Sequence, residues 1–179
     1  MTERASAAND AGVTLVEVIL YVLLSSLVLI ATTMILINSL TTQRDVASVS
    51  EATSRGQGIG SAIERALHNG LAFDVSAHGT HGTQLRVRTS LEGSQACQGF
   101  LLTDGQARLS QSATAIPLDA TTWSDWESGI APDGTEPYFT ATGPSVSYSF
   151  TITTDSAPVR IRGQAALRSA PTGVTAPCW

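Results

Sequence analysis

Residues 10–31 read DAGVTLVEVILYVLLSSLVLIA, an apolar run from Val13 onward that is broken near its start by one acid, Glu17. Residues 18–37 then continue for twenty positions without a charge. At about 1.5 Å of rise per residue, such a helix spans a hydrocarbon core of roughly 30 Å. A cleaved secretory signal has a shorter apolar core, on the order of 7–15 residues, followed by a small-x-small site. The residues that follow here, LINSLTTQRD at 36–45, offer no such site. The run therefore predicts a retained, single-pass membrane helix. Arg4 precedes it and Arg44 follows it, so charge alone does not set its orientation.

Glu17 needs a reason. An acid at the bilayer centre costs about 2.5–3.5 kcal/mol on insertion scales, and less toward an interface. In one reading Glu17 marks the membrane edge. In the other it awaits a positive partner. Gly12 stands directly before Val13, and a cut between them would place a new amine at the head of the helix, with Glu17 at the fifth position. A carboxylate in the first turn is favoured by the helix macrodipole, and a buried amine and carboxylate each need an opposite charge.

The residues G-V-T-L-V-E-V at 12–18, with the apolar run behind them, resemble the processing motif of type IV pilins and of the pseudopilins of type II secretion and DNA-uptake systems. The resemblance implies that residues 1–12 are a leader, that a prepilin peptidase cuts after Gly12 and methylates the amine of Val13, and that Glu17 serves assembly. It also implies a cytoplasmic-membrane precursor with an extracytoplasmic head, and then a surface pilus or pseudopilus built from related subunits. Two features differ from the usual family pattern. The leader has one Arg against two acids, and no Pro interrupts residues 13–37.

After Asn38 the chain turns polar but keeps a helical stripe. Val46, Val49, Thr53, Gly56, Gly60, Ile63 and Leu67 recur in steps of three and four. That stripe is expected to face a partner surface, closely at the two Gly, while Arg44, Asp45, Glu51, Arg55 and Glu64 face water. Gly56, Gly58 and Gly60 also suggest a phosphate loop, but no strand of a βαβ unit precedes them. His68-Asn69-Gly70 supplies a helix stop.

Beyond Gly70 the period changes to two. Leu85 and Val87 alternate with Arg86 and Arg88. Val146, Tyr148, Phe150 and Ile152 alternate with Ser and Thr, and Val159 and Ile161 alternate with Arg160 and Arg162. These are half-buried strands. Asp104-Gly105 sits between two strand-like runs as a hairpin signal. Tight turns without intervening helices predict an antiparallel sheet. The expected fold is α+β: a long helix at 13–68, with its membrane or filament-core part at 13–37, and a β-rich head at 69–179 against which the second half of the helix packs. This order resembles minor pilins with a large β-rich head.

Cys97 and Cys178 cannot supply four zinc ligands, and an even pair in a chain that leaves the cytoplasm reads as one disulfide; two separate buried thiols are the alternative. All ten basic residues are Arg, and the formal net charge is −5, so nucleic acid is not an expected partner. His78 and His81 lack a recognisable third metal ligand. Asp119, Asp125, Glu127, Asp133 and Glu136 suggest a solvated acidic loop or, less simply, a calcium site without EF-hand spacing. Trp123 and Trp126, in that loop, either cap the sheet or form a contact surface. The Arg86/Arg88 and Arg160/Arg162 pairs form a four-Arg patch if their strands are neighbours, and ordinary solvent faces if not.

No G-x-S-x-G, no H-E-x-x-H and no Cys beside a plausible His occurs. Neither catalysis nor a cofactor is expected. Two functions remain: a minor pilin or pseudopilin, or a single-span anchored protein whose head binds an extracellular ligand.

Overall fold

The computed structural model describes residues 13–80, 82–91, 94–168 and 178–179. The predicted leader, Gly12 and His81 lie outside them. The chain divides into two compact units, the first ending at Arg44 and the second spanning Asp45–Trp179. One helix, α1 (Leu15–His68), supplies almost all of the first unit's described structure and begins the second.

Helix α1 starts on Thr14. The Glu17 N–H donates to the Thr14 carbonyl at 3.0 Å and to Thr14 Oγ1 at 3.3 Å. Thr-x-x-Glu is the spacing of a capping box, so the helix start is written in its own sequence. Within the apolar run, Ser25 and Thr33 donate their hydroxyls to the carbonyls of Tyr21 and Leu29, both at 2.7 Å. That satisfies their polar groups inside the helix, as a lipid environment demands. The helix ends where Asn69 Nδ2 and N–H both donate to the Arg65 carbonyl, just before Gly70.

In the second unit, five antiparallel strands form one sheet in sequence order: β1 (Gly70–His78), β2 (Gly82–Leu91), β3 (Ser94–Thr103), β4 (Gln106–Ser112) and β5 (Ser124–Ser128). A second sheet centres on β8 (Ser145–Ile152). Strand β9 (Val159–Ala166) pairs along one edge of β8, while β6 (Ile130–Ala131) and β7 (Phe139–Thr142) pair with different stretches of the other. The expected single sheet is thus two. The expected hairpin forms at Asp104-Gly105, with Thr103 opposite Gln106 and Gly105 at φ 93°.

Gly129 is the only residue between β5 and β6, and its φ of 74° turns the chain from the first sheet into the second. A non-glycine residue is strained there. The crossing is pinned by Gly105 N–H to the Ile130 carbonyl at 2.7 Å and Thr153 N–H to the Gly129 carbonyl at 2.8 Å.

The main core joins both sheets to the helix. Ile59, Ile63 and Leu67 meet Leu85, Val87, Phe100 and Leu102 from the first sheet and Val146, Tyr148, Phe150 and Ile152 from the second. Full burial of each such aliphatic side chain is worth about 1.5–3 kcal/mol. The period of two sends alternate residues of β3 the other way. Cys97 and Leu101 form a second small core with Ile116, Ala120, Trp123 and Cys178.

The helical stripe is shifted from its expected path. Val46 is exposed, Val49 and Thr53 are half-buried, and the fully buried positions are Ala52, Gly56, Ile59, Gly60, Ile63, Ala66 and Leu67. The small residues Ala52 and Ala66 carry little hydrophobic signal, yet they face the core. The two stripe glycines do admit close approach. A Cβ on Gly56 would lie 2.5 Å from Ile161 Cγ1, and one on Gly60 would lie 2.7 Å from the Tyr148 hydroxyl. All three glycines of 56–60 are helical, so no phosphate loop exists there.

Candidate functional site

The described part of the first unit, residues 13–44, is almost wholly one apolar helix with its side chains uncovered. Val13 is 66% exposed, Leu15 79%, and the large aliphatic residues from Val16 to Leu40 are exposed likewise. The helix is long and apolar enough to cross a membrane, and none of its most apolar window is buried. A water-soluble surface does not carry an apolar stretch of this length unless something covers it.

Glu17 sits in the first turn of this surface. Its backbone N–H is capped by Thr14, as described above. Its carboxylate is turned forward along the helix, where Oε1 accepts a hydrogen bond from the Tyr21 hydroxyl at 3.1 Å. Glu17 and Tyr21 are four residues apart and hence on one face. In the sequence, only its i,i+4 spacing to the lone acid marks Tyr21. Val13 lies beside this turn, while Gly12 lies outside the described residues.

In the head, Cys97 and Cys178 are disulfide-bonded, 81 positions apart, and both are fully buried. The bond fastens the C-terminal end onto β3. Around it, the Ile116 N–H donates to the Cys178 carbonyl at 3.3 Å, and the Trp179 ring stacks 5.6 Å from the Arg86 guanidinium.

The acidic segment is only in part a solvated loop: Asp119, Asp125 and Glu136 are exposed, whereas Glu127 is half-buried and Asp133 is buried. Its residues are spread over β5 and the turns around it, and most have partners. Asp119 caps a short 3-10 turn at Ala120–Thr122 by accepting from the Thr121 N–H at 2.9 Å. Asp125 pairs with Arg108 at 3.2 Å, and Glu127 with Arg55 at 2.6 Å. Asp133, whose side chain is 3% exposed, takes Arg160 at 2.8 Å, Arg162 at 2.6 Å and the Ser149 hydroxyl at 2.7 Å. The Ser149 and Arg162 hydrogen bonds, followed by the charges of Arg160 and Arg162, hold the Asp133 carboxyl below the usual range. Among the described residues no group of three or more His, Cys, Asp or Glu is placed to hold a metal.

The four Arg do not form a patch, because β2 and β9 belong to different sheets. Arg86 pairs with Asp74 at 2.6 Å, and Arg88 Nε donates to Gln95 at 3.1 Å. Trp123 is buried against Gly99 and Ile116 and covers the first sheet beside the disulfide, whereas Trp126, within β5, packs on the main core 6.1 Å from Phe100. Arg55 and Glu64, expected in water, both reach across to strands. Glu64 accepts from the buried Tyr148 hydroxyl at 2.7 Å. A shallow depression of about 550 Å³ lies over β7–β9, lined by Glu136, Thr140, Ser147, Arg162 and Gln164 among others, without His or Cys.

No protein-family model, curated protein or solved structure matches this chain. Its own residues therefore carry the functional reading. They present an α+β chain with a candidate membrane span at one end and a disulfide-fastened, antiparallel β head at the other.

Proposed function

We infer that the chain is a minor pilin or pseudopilin, a structural subunit cut by a prepilin peptidase between Gly12 and Val13 and assembled into a filament. The observation that carries this reading is the first unit: a wholly uncovered apolar helix whose single acid stands at the fifth position after Gly12. A subunit of this kind has two uses for that surface. It crosses the cytoplasmic membrane alone before assembly, and packs against the same helix of its neighbours afterwards. Glu17 then meets the Val13 amine of an adjacent subunit, which neutralises both charges away from water.

The head supports the same reading. A disulfide belongs to an oxidising compartment, which is consistent with an extracytoplasmic position. The formal net charge is −5, so the partners in this reading are other pilin or pseudopilin subunits, and not nucleic acid. No enzymatic role or cofactor enters the proposal.

The test is the state of the mature N-terminus in membranes of the producing cell. A chain beginning at methylated Val13 supports the subunit reading. A chain retaining Met1 supports instead a single-span anchor for a binding head, and rejects the filament role.

A further inference from the structure

A capping box has two halves. In one, the Thr hydroxyl accepts from the N–H of the residue three positions on; in the other, the Glu carboxylate reaches back to the Thr N–H. Here the first half is made, at 3.3 Å between the Glu17 nitrogen and Thr14 Oγ1. The second is not what Glu17 does. Its carboxylate points forward to the Tyr21 hydroxyl, at 3.1 Å.

The choice has consequences in an apolar environment. A carboxylate needs donors to its oxygens, and a phenol four residues on is one that the helix itself carries. Tyr21 is 57% exposed on the same uncovered helix face as Glu17, and its hydroxyl is the polar group that serves the acid. The carboxylate is kept off the helix's own first N–H groups.

We propose that Tyr21 is a positioning residue for Glu17, holding the carboxylate forward and solvated by the phenol while the helix stands alone in the membrane, so that it remains available to an incoming amine. This rests on the subunit reading for the identity of the amine. It does not rest on it for the pairing itself, which belongs to the isolated chain.

The experiment is a double-mutant cycle on membrane insertion of the full chain. The chain carries engineered glycosylation acceptors before Val13 and in the head, and enough Leu→Ala changes among residues 27–36 to bring insertion near its midpoint. Tyr21→Phe removes only a hydroxyl and makes the side chain more apolar, so on hydrophobicity alone it improves insertion. The proposal expects the reverse: an inserted fraction ratio about threefold lower beside Glu17, the scale of a hydrogen bond within a membrane. In a Glu17→Ala background, where no acceptor remains, it expects no loss. Equal effects in both backgrounds, or no loss beside Glu17, overturn the pairing. Sequencing of the mature N-terminus separates the two claims: an uncut chain that still shows the coupling overturns the role in filament assembly and leaves the pairing standing as a membrane device.

Discussion

At the scale of single residues, the seam between helix and second sheet is made by side chains that are missing. The Tyr148 hydroxyl lies 2.7 Å from where a Cβ on Gly60 would be, and the phenol also crowds the position of a Cβ on Gly163, its neighbour across the β8–β9 pair. Overpacking such a site costs about 1–3 kcal/mol, whereas Gly→Ala in a helix interior gains about 0.8–1 kcal/mol. Gly60→Ala is therefore expected to destabilise the head by roughly 1 kcal/mol net. Gly58→Ala meets open space and is expected to stabilise it by about the propensity gain. Denaturant titration of the two variants reads the difference, and equal shifts would show that the seam is not tight.

Tyr148 also makes the head sensitive to alkali. Burial first, then the hydrogen bond and charge of Glu64, raise its phenol well above the ordinary 10, and burial pushes Tyr138 up to about 12. A raised folded-state value means that the neutral form is favoured in the fold. The stabilisation is complete below about pH 10 and is lost as pH rises from there through the folded values. Tyr148→Phe should flatten that alkaline loss, at a cost near pH 7 of about 1 kcal/mol for the hydrogen bond. An unchanged alkaline limb in the variant would assign the loss to other groups.

At the scale of elements, the disulfide and Asp133 each tie down a segment that has little core of its own. In the loop-entropy model, closing 81 positions is worth about 4–5 kcal/mol, an upper figure because strain and residual unfolded structure reduce it. Replacing both Cys97 and Cys178 by Ser should lower stability by up to that amount. It should also free Trp179 from Arg86, visible as changed Trp fluorescence before global unfolding. A variant as stable as the parent would mean that the tail contributes nothing. Asp133 joins the turn after β6 to β8 and β9. Its depressed folded-state value places the sign opposite to that of Tyr148: its contribution is present above the ordinary value of 3.8 and disappears as pH falls through the lower folded one. Asp133→Asn should therefore weaken the head at neutral pH and flatten its acid unfolding limb, as followed by circular dichroism.

The same elements mark what sequence reasoning reaches. Helix α1, the alternating strands β2, β8 and β9, and the Asp104-Gly105 turn are each announced by a local period or a local pair of residues. Their reading needs no knowledge of the rest of the chain. The acidic stretch was illegible because its partners are remote. Arg55 and Glu127 are separated by 72 positions, and Arg162 and Asp133 by 29. The division into two sheets was hidden in one residue, Gly129, which reads as an ordinary turn. Ala52 and Ala66 give no sequence signal because Ala is apolar too weakly to mark a buried face. At the candidate site, Glu17 stood out as a lone acid in an apolar run. Tyr21 did not, since an aromatic residue there is unremarkable until its hydroxyl is seen on the carboxylate.

At the scale of the whole molecule, the two units do different work. The head holds itself together with two cores, internal ion pairs and a disulfide. The first unit buries none of its most apolar stretch; in the proposed subunit, lipid and then neighbouring subunits supply that burial. Two substitutions test that division. Glu17→Ala should insert at least as well as the parent, since a charge is removed from the apolar run, and should be processed normally yet enter filaments poorly. Gly12 replaced by a bulky residue should leave a full-length, membrane-held precursor that never enters a filament. The most direct measurement is the intact mass and N-terminal sequence of the mature protein purified from its membrane. The minor-pilin reading predicts a chain that begins at N-methylated Val13 and lacks residues 1–12. A mature chain that still begins at Met1, or is cut downstream of the apolar helix, would contradict it.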